Sequence, residues 1–439
     1  MDTTSNADRL PATSALANRL GPLASEDWLA VCVGLGSIAG VLAGIRPFLP
    51  SLAWTTSADL ASRVFASQNL LNAVAIGAVL AALAGTAVLL MGGALARFAI
   101  GFPAVFALAL IAQLVAGNAV VTSWGLEYVI FAFALGLLVS NTIGVPSWLR
   151  EAARTEFYIK TGLVILGASI IFGDMVQAGL LGITQALLVV TAVWFFCFWL
   201  AKKLRVDDEF ATMLASAVSI CGVSAAIAAC GAIQGDRKKL SYVTSLVLIV
   251  AAPMMVVMPF VIRAFDIPDL VGGAWLGGTL DTSASVVAAG EMISIPARNA
   301  GVVVKLSQNV LIGVAAFLLT IWWTMRDGKR QADRPGIGVI WSRFPKFVLG
   351  FIAASFVFSF LISGSVIDET RGILTALRTM WFALAFISIG LDTRFSDLAA
   401  ADSGRAAVAF LGGQAFNVVW TLLLAYLLFG GMLFEVPAL

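Results

Sequence analysis

Apolar residues along this chain fall into long runs separated by short polar connections. Thirteen such stretches cover residues 28–45, 70–91, 98–116, 124–143, 157–172, 176–201, 210–233, 240–262, 270–290, 300–325, 344–367, 373–391 and 406–430. Most come close to or exceed the about 20 residues a helix needs to cross a hydrocarbon core. A transmembrane barrel would instead alternate apolar and polar residues in short segments. The pattern predicts an all-α polytopic membrane protein of about 11–13 membrane stretches, with no soluble domain inserted between them.

The longest polar connection carries Arg326, Lys329, Arg330, Arg334, Arg343 and Lys346, and such a cluster belongs on the cytoplasmic side. Counting spans back from it predicts a cytoplasmic N-terminus, with residues 1–27 as a polar tail. That tail lacks a basic region directly before an apolar core, so it does not read as a cleaved signal peptide. If every stretch crossed, Arg237, Lys238 and Lys239 would lie outside, against the rule. If 210–233 and 270–290 instead leave on the face they entered, the triplet moves inside and only Arg263 moves out. The charge pattern therefore favours re-entrant or broken helices at these two places, near the midplane.

Both stretches are crowded with Gly, Ser, Thr and Ala, and GVSAAIAACG at 222–231 overlays DTSASVVAAG at 281–290 at Ser, Ala, Ala and Gly. A second echo is G-x4-F-x-D, at Gly167, Phe172 and Asp174 and again at Gly390, Phe395 and Asp397. Repeats interrupted by small residues at corresponding positions point to the binding site of a secondary transporter. The organisation expected is a tail over 1–27 and scaffold helices over 28–123. A first repeat over 124–263 has its broken helix at 210–233, and an inverted second repeat over 264–439 has its broken helix at 270–290.

A helix broken inside the membrane offers free N–H groups to anions and free carbonyls to cations. Candidate binding residues are Ser219, Cys221, Gly222 and Ser224 at the first break, and Gly278, Thr279, Thr282, Ser283 and Ser285 at the second; small residues there also serve tight helix packing. Asp281 stands mid-stretch, where an unpaired charge costs at least about 2.5 kcal/mol, so it is the candidate ion-coupling carboxylate or else half of a structural ion pair. Lys305, Gln308 and Asn309 share one polar helix face. The ammonium either holds an anion or neutralises Asp281. Lys160 and Arg378 are second-rank candidates that could equally snorkel to the interface.

Composition removes other chemistry. The chain is 60% hydrophobic and 12% charged, has no histidine, and carries a net charge of +2. No His relay, His-ligated metal or nucleic-acid partner is implied. Cys32, Cys197, Cys221 and Cys230 lie in apolar runs without metal spacing. No Walker A sequence and no catalytic constellation is visible, so neither an enzyme nor a cofactor is expected, and transport must draw on ion or substrate gradients.

Several segments resemble the YeiH-like sulfate exporter family of bacterial membrane proteins. They are FAFALGLLVSN at 131–141, KTGLVILGASI at 160–170, SICGVSAAIAA at 219–229, SVVAAG at 285–290, VKL at 304–306, FPKFVLGF at 344–351 and GLDTRFSDL at 390–398. The resemblance implies inverted five-helix repeats with crossing broken helices, a homodimer in the inner membrane, and export of sulfate, sulfite or an organosulfonate. The chain departs from the family's pattern at Asp281, Thr282, Ser285 and Gln308, where His-Glu, Gln and Arg are frequent. The expected function is a secondary active small-anion transporter in the lipid bilayer, coupled to H+ or Na+. The alternative is a cation–proton antiporter using Asp281.

Overall fold

The computed structural model describes residues 24–123, 126–326, 338–393, 404–437 and 439. Within them the longer helices are α1 (Glu26–Leu42), α2 (Ser67–Leu90), α3 (Leu95–Ala116), α4 (Tyr128–Thr142), α5 (Thr155–Gly167), α6 (Phe172–Lys203), α7 (Asp208–Ser219) and α8 (Val223–Ile233). There follow α9 (Arg237–Ala264), α10 (Asp269–Thr279), α11 (Ser283–Glu291), α12 (Ile295–Arg326), α13 (Phe347–Phe360), α14 (Gly364–Asp392) and α15 (Gly404–Phe429). No strand occurs among the described residues, and seven of these helices, α2, α3, α6, α9, α12, α14 and α15, are long and apolar enough to cross a membrane. This is an all-α polytopic membrane protein. Helices suit these runs because they satisfy their own backbone where no water reaches.

Several boundaries differ from those read in the sequence, two of them informatively. The stretch at 344–367 breaks after Phe360, and α14 already starts at Gly364, because Ser363 and Gly364 favour a turn over continuation. Asp174 lies within the first turn of α6, where its charge complements the positive helix end, not between helices. The tail residues 1–23, the loop residues 327–337, and Phe395 and Asp397 of the second echo lie outside the described residues.

The chain divides into two compact units: residues up to Ser169 with Lys346–Asp392, and Ile170–Pro345 with Thr393–Leu439. In the first, α4 and α14 touch through Gly136 and Gly390, where a Cβ on either glycine would strike the other helix's backbone. Gly167 of α5 plays the same part against the Phe351 carbonyl of α13. The two glycines of the G-x4-F-x-D echo thus have one packing role, as seats for a neighbouring helix. At the starts of α1 and α5, Lys160 pairs with Glu26 at 2.8 Å, Asp27 at 2.9 Å and Glu156 at 3.5 Å.

The second unit contains two helical hairpins. At the base of the first, Lys239 in the opening turn of α9 pairs with Asp207, the N-cap of α7, at 2.7 Å and with Glu209 at 3.2 Å. The start of α7 and the residues just after α8 are therefore on one face, so α7 and α8 go in and come back. At the second base, Arg263 at the end of α9 donates to the Met292 carbonyl just past α11, while Arg298 of α12 pairs with Glu291 at 3.0 Å. The intervening α9 has 28 residues, about 42 Å of helix, so the two bases are at its opposite ends. The arms have 12, 11, 11 and 9 residues, reaching about 14–18 Å, or about half of a 30 Å hydrocarbon core.

Asp207 holds its carboxyl below the ordinary carboxylate range. Burial pushes it up, but the Lys239 ammonium and the Phe210 N–H outweigh that. A depressed carboxylate contributes stability above its unfolded pKa and loses it as pH falls through the folded value, so the tie at the first base holds at neutral pH. In a background lacking reactive cysteines, cysteines placed at Glu209 and Lys238 are expected to label with an impermeant maleimide from one face, and one at Asp269 from the other. Labelling of Glu209 and Lys238 positions from opposite faces would contradict the hairpin.

Candidate functional site at the hairpin tips

The first hairpin turns in three residues, Ile220, Cys221 and Gly222, between α7 and α8. Gly222 has φ +60° and ψ −110°, a conformation open to glycine alone. A Cβ there would lie 3.0 Å from the Asp281 carbonyl oxygen and 3.1 Å from the Asp281 Cβ. The tips of the two hairpins therefore touch, Gly222 against Asp281. Ile220, Cys221, Ala225 and Ala228 pack on Ile312 and Ala316 of α12, an apolar seat for the first tip.

Stopping α7 and α10 inside the protein frees carbonyls that water cannot reach, and each such buried group left unpaired costs about 1–3 kcal/mol. Two neighbouring helices supply the donors. From α12, Lys305 Nζ donates to the Ile220 carbonyl at 2.6 Å and to Gln308 Oε1 at 2.8 Å, and Gln308 Nε2 donates to Ser219 O at 2.7 Å and Gly278 O at 3.4 Å. One amide thus bridges both hairpins. From α15, Asn417 donates to Val218 O at 3.2 Å and Thr279 O at 3.4 Å, and Gln414 donates to Thr279 O at 2.9 Å. From α6, Gln185 donates to Ala274 O, a carbonyl inside α10 rather than at its end, at 2.8 Å.

The second tip restarts under a side-chain cap: Thr282 Oγ1 accepts from the Ser285 N–H at 3.0 Å and sits 2.7 Å from the Ser285 hydroxyl. Asn309 of α12 donates to Ser283 Oγ at 3.0 Å. The first tip differs, since Gly222 has no side chain and α8 starts without a side-chain cap. Asp281 is 2% exposed, and its Oδ2, like Ser219 Oγ and Thr279 Oγ1, is buried without a hydrogen-bond partner. No ion pair within 4 Å joins Asp281 to Lys305 among the described residues; the ammonium serves the Ile220 carbonyl.

The structure thus gathers Ser219, Cys221, Gly222, Gly278, Thr279, Asp281, Thr282, Ser283, Ser285, Lys305, Gln308 and Asn309 around the two tips. Ser224 lies on α8 in its first turn and is exposed. Lys160 and Arg378 belong to the first unit, where Lys160 is held by its three carboxylates and Arg378 is buried in α14. Sequence reasoning passed over Gln185, Gln414 and Asn417. The signal was available: lone amides inside apolar helices, with Gln414, Asn417 and the buried Thr421 along one face of α15.

Two hairpins inserted from opposite ends of a bundle, meeting over a buried carboxylate and a buried lysine, define a polytopic membrane protein with a polar centre. The family model described as "Conserved hypothetical protein 698" matches residues 100–409, and the chain belongs to this family, the YeiH-like UPF0324 membrane proteins. It is 42% identical over 361 residues to a UPF0324 membrane protein of Rhodopirellula baltica, covering 80% of this chain and 66% of that one. It is 38% identical over 352 residues to a UPF0324 membrane protein of Nitratidesulfovibrio vulgaris, covering 77% and 61%. A third, from Nitrosomonas europaea, is 33% identical over 314 residues, covering 63% and 64%. The chain thus spans about two thirds or less of these relatives' length. No solved structure matches.

Gln308→Leu leaves the Ser219 and Gly278 carbonyls without that donor and is expected to destabilise the protein by about 1–3 kcal/mol. Gly222→Ala is expected to cost a similar amount, about 1–3 kcal/mol, through backbone strain. Thermal unfolding in detergent reads both as lowered midpoints. Unchanged midpoints in both variants would contradict the packing of the tips.

Proposed function

We propose that the chain is a secondary active transporter of a small oxyanion, with its site at the hairpin tips and Asp281 as the coupling carboxylate. The observation that carries this reading is which helix ends are filled. The carbonyl ends, which attract cations, already hold Lys305, Gln308, Gln414 and Asn417. The N-terminal end of α8 has no side-chain cap, and such an end presents N–H donors and about half a positive charge. One negative group, Asp281, stands beside it. With Asp281 protonated, the α8 end and Lys305 favour an anion; with Asp281 ionised, the carboxylate competes for the same field.

The family resemblance supports sulfate, sulfite or an organosulfonate as the class of anion, export as the direction, and a homodimer. The base of the first hairpin carries Arg237, Lys238 and Lys239, with Lys202, Lys203 and Arg205 at the end of α6, which supports a cytoplasmic placement of that base. The span count read from the sequence supports an N-terminus on the same side of a bacterial inner membrane.

A cation–proton antiporter is the second reading. It is favoured by the three buried oxygens without partners, Asp281 Oδ2, Ser219 Oγ and Thr279 Oγ1, which suit a proton or a small hard cation. Exchange of labelled sulfate in proteoliposomes separates the two. Lys305→Ala and Asp281→Asn are each expected to abolish exchange while the protein stays folded by size exclusion. Normal exchange in both variants would overturn the proposal, and dequenching of an internal pH dye by Na+ without any anion requirement would favour the second reading.

A further inference from the structure

At the base of the first hairpin the end of α8, the start of α9 and the short helix Gly338–Arg343 enclose a cavity of about 600 Å³, lined by Ile227, Cys230, Gly231, Gln234, Arg237 and Arg343 among others. Two guanidinium groups share it. Among the described residues neither the Arg237 nor the Arg343 side chain makes an ion pair or a hydrogen bond. The nearby carboxylates are committed elsewhere: Asp236 caps the Lys238 N–H at 2.8 Å, and Asp207 and Glu209 hold Lys239.

Charge placement makes the arrangement stand out. Arg237, Lys238 and Lys239 occupy the first turn of α9, the positive end of a 28-residue helix, where cations are disfavoured. Arg343 adds a further like charge to the same cavity. Its place there depends on Gly231, where a Cβ would come 2.9 Å from Arg343 Nη2. Gln234 ends α8 in the left-handed conformation, φ 52°, and its exposed amide faces the same space. From this cavity Gln234, Gly231, Ile227 and Ser224 form one exposed stripe of α8 that rises about 15 Å to the uncapped turn at Gly222.

We infer that this cavity is a binding site for a tetrahedral oxyanion, held by the forked N–H groups of Arg237 and Arg343 with Gln234 as a neutral donor. The ligand is either a free oxyanion or the phosphate of a lipid headgroup, which present the same oxygens. The site does not rest on what crosses at the hairpin tips.

Cys230 lines the cavity and reports on it. The experiment uses the full-length protein in nanodiscs of zwitterionic lipid and follows modification of Cys230 by an anionic and a cationic methanethiosulfonate reagent, read by peptide mass spectrometry. The wild-type protein is expected to react faster with the anionic reagent. Arg237→Gln with Arg343→Gln should slow that reaction about tenfold and leave the cationic reagent's rate no lower; Arg237→Lys with Arg343→Lys should keep the preference, since the charges remain. Sulfate, compared with chloride at equal ionic strength, should protect Cys230 in the wild type if the ligand is free. Phosphatidylglycerol in the nanodisc should protect it if the ligand is a headgroup. Either protection, lost in the double glutamine variant, upholds the site. Protection by neither, or protection and charge preference undiminished in that variant, overturns it.

Discussion

Everything at the hairpin tips follows from helices that stop inside the second unit. Where α7 and α10 end, the carbonyls of Val218, Ser219, Ile220, Gly278 and Thr279 have no helical partner, and in a membrane water cannot take its place. The protein answers with side chains from outside the hairpins: Lys305 and Gln308 on α12, Gln414 and Asn417 on α15. Each of those polar side chains would be costly in an apolar helix on its own. Here each donor removes a larger penalty from a stranded carbonyl, so hairpins and supports stabilise one another.

The same constraint selects what is left to bind. Carbonyl ends that are filled by donors offer less of a cage for a cation, and Lys305 is hydrogen-bonded to the Ile220 carbonyl and Gln308 with no direct ion pair to Asp281 among the described residues. The tips retain a carboxylate oxygen, two hydroxyls and the open start of α8. On the proposed reading, one proton on Asp281 would change the net charge of the tips and so couple a proton to an anion. The hairpin arms of 12, 11, 11 and 9 residues are each about half as long as a helix that crosses the hydrocarbon core.

Much of this was legible in the amino-acid sequence. Long apolar runs specify helices regardless of tertiary context, because lipid leaves the backbone no other partner. The basic triplet Arg237–Lys239 signalled that 210–233 returns to its own side, and the Lys239–Asp207 ion pair ties the start of α9 to the start of α7 there. Lys305, Gln308 and Asn309 announced a polar face through their spacing alone. What the sequence did not reveal was the pairing across elements. A charge in an apolar run suggests a counter-charge, yet Lys305 answers a carbonyl, a group every residue carries and no pattern marks. Gln185, Gln414 and Asn417 escaped notice for the same reason: an amide carries no charge to count, and its partner is backbone.

The most direct test of the account is counterflow of labelled sulfate into proteoliposomes of the wild-type protein, preloaded in turn with sulfate, sulfite, sulfoacetate, taurine or a dicarboxylate. Counterflow needs no knowledge of the coupling ion. The account predicts transient accumulation of label with at least one oxyanion preload. No accumulation with any preload, from protein that is folded and inserted, would contradict an anion site at the hairpin tips.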